Sequence, residues 1–255
     1  MNILLTNEAG CFAPGITALA KALSVKHRVV IVAPLQPQFN CGHAWTYSAP
    51  LRIKQYNVLN KVKVFSVDGT SCDCVAIALD KVLHSKPDLI IAGIRPRHSR
   101  GEVIYASGIV CAAMEGTIQG IPSIAVSAKV KNPSDEKNFA PVANAFAKNL
   151  SYFLKNMSPQ TTLNVNFPEK FSMSRIVCTN LTCNMMNNKY AQEVNPFGNT
   201  FFWLLNPTSG YKEEALEQHG DLYWLLKDYI TVTPLKLDLT ADEAIEIVER
   251  AGLLI

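Results

Sequence analysis

The sequence predicts an α/β protein built on a doubly wound parallel sheet, Rossmann-like, with a β-rich C-terminal extension. Three observations predict it. Residues 28–33 (RVVIVA) and 89–92 (LIIA) are continuous apolar runs, as in strands buried on both faces. Helical patterns with apolar residues three and four apart separate such runs. Turn residues, Pro34 and Gly93 among them, close the runs. Strands alternating with helices in this way specify a parallel sheet covered on both faces.

The elements follow in order. Residues 2–6 form a short apolar strand that ends in Asn7-Glu8-Ala9-Gly10, and a helix follows with Ile16, Leu19, Ala20 and Leu23 on one face. The run at 28–33 completes a βαβ unit. A polar segment over about 35–60 reads as loop before a strand at 62–67. Gly69-Thr70 opens a helix with Val75, Ala78, Leu79 and Val82 inward; Thr70 suits the N-cap, and Asp73 sits near the positive helix end. The strand at 89–92 leads to a helix starting near Ser107 with Val110, Ala113 and Met114, then to a strand at 121–127. Beyond about 130 come a helix near 140–155, a strand at 163–167, and aromatic and polar residues alternating around the turn Asn195-Pro196-Phe197-Gly198. A strand over 229–239 and a helix with a Thr240…Glu243 capping box close the chain. Residues 1–130 read as the core with the candidate site, and 131–255 as the remainder of the core plus an oligomerisation extension, in one structural unit.

A chain of 255 residues with 48% hydrophobic and 18% charged side chains folds by burial, around one main domain. A net charge of +3 is too weak to imply nucleic acid or an anionic membrane as partner. No run approaches the roughly 18–20 apolar residues that span a bilayer, and the opening residues read as a strand and not a leader, so a cytoplasmic location is expected. The seven cysteines are odd in number and scattered, as expected of reduced, buried thiols. Cys72 and Cys74 point to different sides of a helix start, which argues against zinc.

In an open parallel sheet ligands bind beyond the C-terminal strand ends, which places a site in the loops after residues 6, 34, 67 and 93. A dinucleotide-binding oxidoreductase would need Gly-x-Gly-x-x-Gly in the first βα turn, where only Gly10 and Gly15 occur, and an acidic residue ending the second strand, which is absent. A different pattern is present. Ile3-Leu4-Leu5-Thr6-Asn7-Glu8-Ala9-Gly10 followed by Ala13-Pro14-Gly15-Ile16 resembles the opening of the SurE family, where Asn-Asp-Asp-Gly precedes Ala-Pro-Gly-Ile. Further blocks match in order: Val32-Ala33-Pro34, Gly69-Thr70 with Asp73, Pro87-Asp88-Leu89, Gly93-Ile94, Ser107-Gly108 with 112–116 (AAMEG), Gly198-Asn199-Thr200 with Trp203, and Thr233-Pro234-Leu235. The resemblance covers essentially the whole chain. It implies a phosphohydrolase acting on nucleoside monophosphates with manganese or magnesium, in dimers or tetramers that exchange C-terminal segments.

Such an ion takes about six oxygen ligands, with anionic oxygens prominent among them, and it polarises the phosphoryl group while acidifying a bound water. The resemblance implies that the oxygens come from the paired Asp of the first loop, a Ser of the second and an Asn of the fourth. At those positions stand Glu8, Ala9, Phe39 beside Asn40, and Arg95; Ser99 stands for a second Asn and Ile109 for a Thr. Glu8 keeps the charge with an extra methylene, Ala9 brings no side-chain oxygen, and Arg95 opposes a cation. A unit charge and a divalent ion roughly 4 Å apart repel by about 8 kcal/mol at an effective dielectric of 20. The sequence therefore points to a SurE-type homologue with a degraded metal site and weak or lost catalysis, the alternative being an active enzyme with a shell rebuilt from Glu8, Asn7, Asn40 and Asp73.

Each candidate has a plainer reading. Glu8 is a remnant ligand or acid/base, or else a solvated loop carboxylate; Asn7 belongs with Gly10 to the turn more than to catalysis. Arg95, Arg97, His98 and Arg100 could hold phosphate by bidentate donors in place of the metal, but a solvated, flexible basic loop is favoured. Ser107 and Gly108 could receive phosphate at a helix start or simply cap it. His43 near a base is less expected than an incidental loop histidine. Phe201, Phe202, Trp203, Tyr223 and Trp224 are expected to pack an interface or core.

Overall fold

The computed structural model describes residues 1–59, 61–155, 157–158, 160–183, 188–205, 217–241 and 244–245. Its main sheet has nine strands: β1 (Asn2–Thr6), β2 (Arg28–Pro34), β3 (Ile53–Leu59), β4 (Val62–Val67), β5 (Leu89–Arg95), β6 (Ser123–Ala128), β7 (Thr161–Phe167), β8 (Ile176–Cys178) and β11 (Ile230–Lys236), ordered β3-β4-β2-β1-β5-β6-β7-β11-β8. From β4 through β7 every pairing is parallel. The chain runs outward from β1 in one direction, then returns to add β5, β6 and β7 on its other side, so the topological switch falls between β1 and β5.

Alternation along each strand explains the two layers of helices. Ile3, Leu5, Ile31, Leu89, Ile91 and Val126 face a core shared with α1 (Pro14–Leu23), α4 (Ala140–Lys148) and α5 (Leu150–Lys155). Their neighbours Leu4, Val32, Ile90, Ala92 and Ala125 face a second core with α2 (Ser71–Ile77) and α3 (Gly108–Ile118). Strands apolar at every position are what a sheet buried on both sides requires. Thr70 caps α2 as expected: its Oγ1 accepts the Asp73 amide at 3.1 Å, and Asp73 Oδ2 accepts the Thr70 amide at 2.9 Å.

Several expectations need correction. The polar segment over 35–60 contains β3, an antiparallel edge strand on β4, and β11 runs antiparallel to β7, so the sheet is mostly and not wholly parallel. The single helix near 140–155 is two, separated at Asn149. The thiols are all free, but Cys178 and Cys183 are exposed and Cys41 is half-buried. The helix with the Thr240…Glu243 capping box lies largely outside the described residues. The β-rich extension is present as a hairpin of β9 (Lys189–Val194) and β10 (Thr200–Leu205), a separate two-stranded sheet. A short α6 (Asp221–Leu226) precedes β11. Among the described residues no helix is long and apolar enough to cross a membrane.

Candidate functional site

The C-terminal ends of β1, β2 and β5 converge with the start of α3, and there the loops carry polar side chains into the interior. After β1, Asn7 closes the turn on itself: its Nδ2 donates to the Gly10 carbonyl and its Oδ1 accepts the Gly10 amide, both at 3.0 Å. Gly10 has φ of 111°, a conformation that a side chain would strain. Asn7 is thus spent on the turn.

Glu8, the next residue, is fully buried. Its Oε2 accepts the Gly108 amide at 2.9 Å, at the positive end of α3. Its Oε1 lies 2.8 Å from Arg95 Nε, and because that oxygen receives no aligned hydrogen bond, the contact is one of charge with charge. Arg95, at the end of β5, is only 7% exposed. Its Nη2 donates to Asn40 Oδ1 at 2.9 Å and its Nη1 to Ser99 Oγ at 3.3 Å. Asn40 holds a left-handed φ of 57° in the loop after β2. Burial pushes the Glu8 carboxyl above its ordinary range, against the opposing pull of Arg95 and of the Gly108 and Asn40 amides. Burial likewise pushes the guanidinium down while Glu8 holds it up.

Ser99 anchors this group from behind. Its amide donates to Asn166 Oδ1 at 2.8 Å, and its carbonyl accepts Asn164 Nδ2 at 2.6 Å and Asn166 Nδ2 at 3.0 Å. Its hydroxyl lies 2.9 Å from that of Ser107 and accepts from Ser127 at 3.0 Å. Ser107 also caps α3, accepting the Val110 amide at 3.5 Å. In front of Arg95 a cavity of about 650 Å³ opens, lined among others by Ala9, Phe39, Asn40, Arg95, Arg97 and Phe139.

The fold therefore gathers Glu8, Arg95, Asn40, Ser107 and Gly108, and puts Ala9 and Phe39 on the cavity wall. Asp73 is elsewhere engaged, since Thr46 donates to Oδ1 from its amide at 3.1 Å and to Oδ2 from its hydroxyl at 2.6 Å, beside the cap bond. Two plainer readings fail. Arg95 is buried instead of solvated, and His98 is half-buried with Nε2 at 2.9 Å from the Phe167 carbonyl oxygen; only Arg97 of that segment is exposed. His43 is no idle loop residue: Nε2 lies 2.9 Å from Oε2 of buried Glu115, whose Oε1 accepts from Gln119, and these bonds hold the Glu115 carboxyl below its ordinary range. The aromatic run divides. Tyr223, Trp224 and Tyr229 pack on one another, whereas Phe202 and Trp203 are exposed at 64% and 66%.

Asn164, Asn166 and Ser127 were not foreseen. The signal available was polarity at alternate positions, 162, 164 and 166, of a strand otherwise apolar. Of the positions compared above, only Glu8 brings a carboxylate, and it is committed to Arg95 and Gly108. Among the described residues no three of His, Cys, Asp or Glu come together in a way that could hold an ion.

Comparison with known proteins identifies the architecture. The family model "Survival protein SurE" matches residues 3–192. The 5'-nucleotidase SurE of Geobacter metallireducens is 36% identical over 94% of this chain and 93% of its own, and that of Pseudothermotoga lettingae is 32% identical over 96% and 92%. The crystal structure of the SurE protein from Aquifex aeolicus superposes with a TM-score of 0.79 at 31% identity, covering 99% of this chain and 100% of that one. With fold, loop positions and sequence in agreement over nearly its full length, the chain belongs to the SurE family.

Proposed function

We propose that this chain is a SurE-type nucleoside monophosphate phosphohydrolase homologue that keeps the phosphate pocket and lacks the ordinary divalent-metal shell, so that turnover is weak or lost. The observation carrying this reading is the Glu8–Arg95 contact of 2.8 Å. A divalent ion beside Glu8 would have to displace a guanidinium that is already compensating the carboxylate, and the neighbouring Ala9 supplies no side-chain oxygen to repay the exchange. Of the other members of a rebuilt shell, Asn7 and Asp73 are committed to the Gly10 turn and the α2 cap, and Asn40 Oδ1 accepts from Arg95. When bound, manganese or magnesium would polarise a phosphoryl group, but these residues do not fit such an ion.

What the chain's own residues support is binding. Arg95 and Asn40 reach the cavity that Ala9 and Phe39 flank, with Ser107 and Gly108 behind at the start of α3. A phosphate there would meet a cation whose own charge is offset by Glu8, with Arg97 contributing at the mouth. The β9–β10 hairpin, with Phe201, Phe202 and Trp203 exposed, supports self-association as a homodimer or tetramer. We read residues 131–255 as one unit with the core.

Turnover of a nucleoside monophosphate panel with manganese, with magnesium and with chelator tests the reading. Little or no release of phosphate under any condition is expected. Brisk turnover that requires metal would overturn it in favour of a rebuilt shell.

A further inference from the structure

We propose that the Arg95 guanidinium is the resident cation of this site: it neutralises Glu8 and ties together the loops after β1, β2 and β5 and the start of α3, as a bound divalent ion would. The inference deepens the proposed function and rests, as that reading does, on the Glu8–Arg95 contact.

Three facts carry it. The first is reach. Arg95 contacts Glu8 after β1, Asn40 after β2 and Ser99 after β5, and Glu8 in turn holds the Gly108 amide. One planar cation with forked donors thus spans loops that are distant in sequence. The second is charge. Glu8 and Arg95 are 1% and 7% exposed at their side chains, and a buried charge without its partner is costly. With Ala9 in the adjoining position the pair sums to zero; a second carboxylate there would leave one negative charge uncompensated. Glu8, Ala9 and Arg95 are therefore one set. The third is fit. A Cβ at Gly108 would lie 3.0 Å from Glu8 Oε2 and 3.1 Å from Glu8 Cβ, so the glycine admits the longer carboxylate against the helix start. Ser99, pinned by Asn164 and Asn166, fixes the acceptor for Nη1.

Thermal melts of the whole protein test this without recourse to activity. The wild-type midpoint should be the same in chelator and in millimolar manganese. Arg95→Met should lower it by more than about 6 °C, and Glu8→Gln with Arg95→Met should lie above the single Arg95→Met variant, because no charge is left stranded. Ala9→Asp should lower the midpoint in chelator while the similarly sized, uncharged Ala9→Asn does not. A wild-type midpoint that rises with manganese, a double variant no more stable than Arg95→Met, or equal effects of Ala9→Asp and Ala9→Asn would overturn the proposal. If Arg95→Met does not fold, recovery of folding in the double variant decides the same point. Brisk nucleotide turnover alongside these melts would refute the proposed function alone.

Discussion

His98 follows Arg95 by three residues and has an unrelated role. Its Nε2 carries a proton and donates it to the Phe167 carbonyl, joining the loop after β5 to the end of β7. Burial pushes this imidazole down from its ordinary value of 6.5 to about 4. The unfolded chain thus takes up the proton first as pH falls. The contribution to stability is complete above about 6.5 and is lost as pH falls through the folded value near 4, to a total of about 3 kcal/mol. Glu8 has the opposite sign: its raised carboxyl favours the fold below the ordinary value of 4.5, and that contribution is lost as pH rises through the folded value. Comparing wild type with His98→Gln, which keeps a donor without a titrating ring, isolates the histidine. Urea unfolding between pH 7 and 4 should show wild type losing about 3 kcal/mol more than the variant. A pH-independent difference would contradict the assignment. The protonation of Glu8 and His98 was illegible in the sequence because burial causes both shifts, and the partners, Arg95 and Phe167, stand on other strands.

At the scale of elements, α1 lies so close to β5 that one position has no room for a side chain. A Cβ at Gly15 would sit 2.2 Å from the Ile94 carbonyl oxygen and 3.2 Å from the Phe139 ring. Because the obstacle is backbone, relief requires moving β5 next to Arg95, and Gly15→Ala should cost upwards of about 2 kcal/mol by chemical denaturation. Gly120 is the control: it has φ of 74° and nothing within 4 Å of the added atom, so Gly120→Ala should pay only for backbone strain, about 1 kcal/mol. Equal losses would mean that α1 does not pack as described. The elements around these glycines were legible, since strands buried on both faces and helices with one apolar stripe each carry a clear period. β3 was not, because it is an edge strand, largely exposed along its length, with no apolar face to reveal it. The site was half legible. The loops were placed by topology and by the family blocks, and Arg95 stood out as a cation; that it is buried against Glu8 became visible only when β1 and β5 were side by side.

At the scale of the whole molecule, the β9–β10 hairpin pairs, among the described residues, with no strand of the main sheet and exposes Phe201, Phe202, Trp203, Leu204 and Leu205 by 46% to 66%. A two-stranded hairpin is marginal alone in water, and an apolar surface on this scale marks an interface. Light scattering at micromolar concentration should find a dimer or larger species, and Phe202→Asp with Trp203→Asp should shift it towards monomer. A monodisperse wild-type monomer would remove self-association from the account. Whether an internal cation stands where metal would bind is open to one direct observation. Crystals grown in millimolar manganese, with diffraction collected at the manganese edge, should show no anomalous peak beside Glu8 and an Arg95 Nε still about 2.8 Å from its carboxylate. A peak there, with the guanidinium displaced, would contradict it.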